Sequence, residues 1–148
     1  MSITLRLAIP LALFAIIACS AQPAEKPSAK VQELTPPSEL ALLMRYMVAH
    51  ADSVKAHIAR NEKSLPPYPA EIKKLFTAKP TDGMHIDPIT FPTFGKDYQN
   101  KVDALYKAAR KDRLTAYNAL VQSCANCHGT HCPGPLMRIK KMYVKAEQ

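Results

Sequence analysis

Residues 114–128 read LTAYNALVQSCANCH. Leu114, Tyr117, Val121, Cys124 and His128 recur at intervals of three and four, the spacing of one face of an α-helix. The stripe ends in the pattern C-x-x-C-H. Two thiols three positions apart stand on neighbouring positions of one helical turn, so each can add across one vinyl group at the edge of a porphyrin. The imidazole of the next residue then reaches the iron. Cys124 and Cys127 are therefore read as the covalent attachment points of one haem c, and His128 as its proximal iron ligand. Asp112 is the expected N-cap of this helix, and Pro133-Gly134-Pro135 the expected stop.

Two other chemistries use the same residue types. Cys124, Cys127 and Cys132 with His128 or His131 are correct zinc ligands. All of them fall within nine consecutive residues, whereas a structural zinc site commonly joins two separated ligand pairs. A thioredoxin-like dithiol opens a helix in a strand-containing fold, and this pair closes one.

Upstream, residues 36–61 start with two prolines and Ser38, a suitable N-cap, with Glu39 in the first turn where the helix dipole favours an acid. Two stripes fit the following helix of roughly 22 residues. One is Leu40, Met44, Met47, Ala51, Val54 and Ile58; the other is Leu40, Leu43, Met47, His50 and Val54. Met47 faces inward under either rotation. The helix stops before Pro66-Pro67. A shorter helix is expected over 69–79 with Ile72, Leu75 and Phe76 inward. Residues 80–93, with Pro80, Gly83, Pro88 and Pro92, read as an irregular loop. A third helix is expected over 94–111 on Tyr98, Val102, Leu105 and Ala109. The tail 136–144 has the pattern of a short fifth piece, packed or frayed. Four amphipathic helices without strand signals predict an all-α fold, an antiparallel four-helix bundle with the haem near the end of the fourth helix.

The N-terminus belongs to a different regime. Residues 1–18 hold one basic side chain, Arg6, and an apolar run too short for a comfortable span, the build of a secretory signal. Ile16-Ile17-Ala18-Cys19 resembles a bacterial lipoprotein box, which would leave Cys19 as a lipid-bearing first residue. An ordinary signal with a chance cysteine and an uncleaved anchor are the other readings. Residues 19–35 are rich in Pro, Ala, Ser and charge and bury too little to offset their ordering entropy, the mark of a tether. The haem domain is then 36–148, and the location a periplasmic membrane face. With four cysteines so distributed, the chain is not a disulfide scaffold. The formal charge of +8 suits a solvated surface, or one that steers an acidic protein. An exported chain with no Arg-aromatic pattern does not point to nucleic acid.

The motif begins at residue 124 of 148. In common small cytochromes c it lies near the N-terminus, with a methionine ligand far downstream; here Met137 and Met142 are too close to cross to the opposite face. The layout resembles the class II cytochromes, the cytochrome c′ family and its methionine-ligated relatives. The resemblance covers about residues 36–132 and rests on the C-x-x-C-H motif, with LLMRYM, FPTFGKDYQNKVDALYKAAR and LTAYNALVQSCANCH as supporting pattern. It implies a haem inside the bundle with one residue of the first helix on its distal side. Methionine there gives a six-coordinate electron carrier; a bulky aliphatic or aromatic residue leaves the iron open to nitric oxide or carbon monoxide. Met47 is the expected distal ligand, with Met44 the competitor and His50 a boundary residue; His57 and His85 are read as surface. Family members commonly place an arginine four residues after the haem histidine. This chain has Cys132 there, read as a thiol near the haem edge, with an intermolecular disulfide or a reactive thiol as alternatives. Arg138, Lys140 and Lys141 are read as a basic surface tail or as propionate partners.

The expected function is a membrane-tethered periplasmic carrier of electrons between redox proteins, not an enzyme, with a five-coordinate gas-binding protein as the alternative. Homodimerisation through the first helix is a further implication of the family. Expressed in a haem-attaching bacterium, the chain is expected in the membrane fraction and Cys19→Ser in the soluble periplasmic fraction. Membrane retention of both would favour the uncleaved anchor.

Overall fold

The computed structural model describes residues 36–145. The leader, the tether and Cys19 lie outside the described residues. Every regular element among the described residues is helical: α1 (Glu39–Ala59), a 3₁₀ segment (Ala70–Phe76), α2 (Thr90–Lys107), a 3₁₀ turn (Arg110–Asp112), α3 (Arg113–His131) and α4 (Leu136–Lys140). No helix among the described residues is long and apolar enough to cross a membrane.

α1 starts where the sequence asks it to. The Ser38 hydroxyl accepts the Ala41 N–H at 3.2 Å, satisfying one of the free amides of the first turn. Leu40 N–H donates to the Lys79 carbonyl at 2.9 Å and Lys79 N–H to the Glu39 carboxylate at 3.1 Å, tying the helix start to the chain after the 3₁₀ segment. At the other end Asn61 takes φ 51. Its N–H reaches the Ile58 carbonyl while Glu62 N–H reaches the His57 carbonyl, a left-handed C-terminal closure that asparagine tolerates. The buried face is Leu40, Leu43, Met47, Ala51 and Val54, which takes Leu43 from one expected stripe and Ala51 from the other. Met47 belongs to both.

Two elements differ from the sequence expectation. The segment after Pro69 is 3₁₀ rather than α. It is short, follows closely on three prolines, and carries its large apolar residues Ile72 and Leu75 three apart; the period of three keeps both on one buried face. α2 begins at Thr90, four residues before the expected start, with Pro92 inside its first turn. A proline there removes an N–H for which the helix itself holds no carbonyl partner. Asp87 supplies the cap instead: one carboxylate oxygen accepts Ile89 N–H, Thr90 N–H and the Thr90 hydroxyl at 3.0, 2.7 and 2.9 Å. α2 also ends earlier than expected, and residues 108–112 link it to α3.

α2 and α3 pack along each other, α1 meets α3 and the 3₁₀ segment, and α4 lies on α3. Val54, Val102, Leu105, Tyr117, Leu120 and Val121 are almost wholly withdrawn from solvent, each such aliphatic side chain stabilising the fold by about 1.5–3 kcal/mol. The tail is packed, not frayed. Ile139 and Met142 are buried. Asn118 pairs with the backbone of Val144 in both directions at 2.8 and 3.0 Å, and the Tyr117 hydroxyl donates to the Met142 carbonyl at 3.3 Å.

Gly95 marks the tightest approach of α2 to the 3₁₀ segment. A Cβ there would stand 2.8 Å from Phe76 Cε1 and 3.2 Å from Leu75 Cδ2. Phe76 is exposed and can swing, but Leu75 is buried and cannot. Gly95→Val is therefore expected to cost about 1–3 kcal/mol, read as a lower urea midpoint at unchanged m-value. An unaltered midpoint would show that this approach is loose.

Candidate functional site

Cys124, Cys127 and His128 occupy the C-terminal half of α3, whose sequence packs through Tyr117, Leu120 and Val121 and so fixes the helix before the motif is reached. Three cavities, of about 250, 370 and 30 Å³, surround this end of the helix, and His128 borders all three. Their walls are almost entirely apolar. The largest lies against α1 and α4, with Met44, Met47, Cys124, Ile139 and Met142 among its lining. The second is closed by Leu40, Ala41 and Met44 of α1, by Met84 and Ile86, and by Cys127, His131 and Cys132. The smallest sits between Met44, Met47, Phe94, Tyr98, Cys124 and Cys127.

The first helix thus brings both of its methionines to cavities that the motif borders. Met44 lines all three and is half-buried; Met47 lines two and is buried. His50 borders none of them. Its Nε2 lies 2.8 Å from the Tyr106 hydroxyl, which donates to the Pro66 carbonyl at 2.8 Å. With that hydroxyl's proton committed, His50 Nε2–H is the donor, and buried Nδ1 has no partner among the described residues. His57 meets Glu62 and the Ser64 carbonyl, and His85 is exposed.

His128 Nδ1 lies 3.0 Å from the carbonyl oxygen of Cys132. A carbonyl only accepts, so Nδ1 carries the proton and Nε2 keeps its lone pair. That is the arrangement in which an imidazole serves as a metal ligand with its outer nitrogen fixed. Nε2 has no hydrogen-bond partner among the described residues. One turn on, His131 lies between the edges of Phe91 and Phe94, with Nε2 3.3 Å from the Thr90 hydroxyl.

The thiols are held protonated. Burial first, and then the neighbouring Cys127, push Cys124 up to about 12. Cys127 is raised by burial and by Cys132. Cys124, Cys127 and Cys132 are free, and Cys132 is half-buried beside the 250 Å³ cavity. Protonated buried thiols are poor redox dithiols and poor thiolate ligands. No group of three or more His, Cys, Asp or Glu side chains converges to hold a metal ion among the described residues, so the zinc set is not assembled. Arg138 borders the 370 Å³ cavity and is ion-paired with Asp52, while Lys140 and Lys141 face solvent.

Of the residues the sequence singled out, Cys124, Cys127, His128, Met44 and Met47 are brought together around one of these cavities. The sequence did not point to the lining given by Met84, Ile86 and Phe91, which come from a stretch with no periodicity, nor to the Cys132 carbonyl, which no side-chain pattern reports. No protein-family model, no curated protein and no solved structure matches this chain.

Burial lowers the pKa of His50 from the usual 6.5, with the Pro67 carbonyl offsetting part of the effect. Below that usual value the unfolded chain binds a proton that the folded chain resists, so stability falls as pH drops. The melting temperature of the native protein is expected to decline from pH 7 to pH 5 more steeply than that of His50→Gln. Parallel curves would remove His50 from the account.

Proposed function

We propose that this chain is a class II-like c-type cytochrome that carries electrons at a periplasmic membrane face through one covalent haem. The observation that supports it most is the His128 imidazole, proton fixed on Nδ1 and lone pair on Nε2, directly after two protonated thiols in C-x-x-C-H order and beside apolar cavities. Cys124 and Cys127 hold the haem by thioether bonds, and His128 is its proximal ligand. In this reading the helices form the antiparallel four-helix bundle of the family, with Ala70–Phe76 in the place of the second helix.

A haem bound there supplies a one-electron ferric/ferrous couple. Met47, the more buried of the two methionines beside the cavities, is the proposed distal ligand; a soft thioether raises the reduction potential. The apolar walls keep water from the bound group and so also bear on the potential. No acid–base machinery enters the proposal, because outer-sphere transfer needs none. Lipid on Cys19 keeps the domain close to membrane-bound redox partners, and the basic surface steers acidic ones. Nucleic acid has no part in this reading.

The optical spectrum tests it. Oxidised native protein and Met44→Ala are expected to show a near-infrared methionine-to-ferric charge-transfer band, and Met47→Ala to lose it. A high-spin native spectrum with ready carbon monoxide binding would replace the carrier with the gas-binding alternative. Loss of the band in Met44→Ala alone would move the ligand one turn along α1.

A further inference from the structure

α3 runs through Gly129 and stops at His131. What stops it is Pro133. A proline disfavours the α region for the residue before it, and Cys132 stands at φ −155, ψ 79. In a continuing helix the Cys132 carbonyl would point along the axis toward the C-terminus, away from residues behind it. Here it turns back and accepts the Nδ1–H of His128 at 3.0 Å. The Cys132 N–H donates to the His128 carbonyl at 3.2 Å. Residues 128 and 132 are thus bonded twice, and the Cys132 thiol takes part in neither bond.

The far side of the turn is fixed as well. Leu136 N–H donates to the Pro133 carbonyl and Ile139 N–H to the Pro135 carbonyl, both at 3.0 Å. α4 then buries Ile139, so the 133–135 turn is held between two packed helices.

We infer that Pro133 is a positioning residue for His128: by ending α3 just after the imidazole it aims the Cys132 carbonyl at Nδ1, and the Cys132 side chain is dispensable for that task. The part of the inference that concerns the potential rests on the haem reading; the part that concerns the hydrogen bond does not. A ring N–H held by a carbonyl makes the opposite nitrogen a stronger donor. A stronger donor favours ferric over ferrous iron and lowers the reduction potential, so loss of the bond raises it.

The test uses ¹⁵N-histidine-labelled protein, examined by NMR and then by redox titration. Native protein and Cys132→Ser are expected to show His128 protonated on Nδ1, with that proton protected from exchange, and to share one midpoint potential. Pro133→Ala/Gly134→Ala is expected to lose the protection and to titrate about 59 mV higher, a tenfold change for one electron. Unprotected Nδ1–H in the native protein overturns the inference, whether or not the double variant folds. So does a double variant that keeps both protection and potential, or a shift in Cys132→Ser as large as that of the double variant. Native protein without a haem spectrum sinks the haem reading instead, and the NMR comparison still decides the role of Pro133.

Discussion

The hydrogen bond from His128 Nδ1–H to the Cys132 carbonyl decides which nitrogen of the imidazole carries its proton. Without it the ring would be free to take either tautomer and either orientation, and the lone pair on Nε2 would not be assured. The bond exists because α3 ends where it does, and α3 ends there because Pro133 cannot be preceded by helix without cost. A backbone constraint four to five residues downstream thus conditions the chemistry of a side chain.

That constraint is useful only if the helix in front of it is rigid and the turn behind it is anchored. Tyr117, Leu120 and Val121 supply the first condition by their near-complete burial. Ile139, Met142 and the Asn118–Val144 pairing supply the second. Between them the motif borders cavities at the edge of the core, and α1 contributes Met44 and Met47 to their walls. The apolar lining and the raised pKa of the Cys124 and Cys127 thiols disfavour a bare metal ion at the motif.

Much of this was legible in the sequence. The α1 and α3 stripes gave both helices and the inward position of Met47, because helical periodicity and burial report the same physical fact. Ser38 as cap and Pro133 as stop were read correctly, since caps and prolines act locally. The start of α2 was misplaced because Pro92 was taken as a breaker, when within the first turn it costs no hydrogen bond. The α-helix expected after Pro69 is a 3₁₀ segment, a distinction set by the tertiary fit of Ile72 and Leu75 and not by composition. His50 was read as a boundary residue and is half-buried; its hydrogen-bond partner Tyr106, distant in sequence, was not legible. The Cys132 carbonyl was invisible for a simpler reason: backbone groups carry no letter.

The central claim is that Cys124 and Cys127 carry a haem. Peptide-mapping mass spectrometry of protein made by a haem-attaching host tests it most directly. The account predicts that the peptide containing both cysteines bears the mass of one haem, and that a Cys124→Ala/Cys127→Ala variant lacks it. An unmodified native peptide, from a host shown to attach haem to another cytochrome, would contradict it.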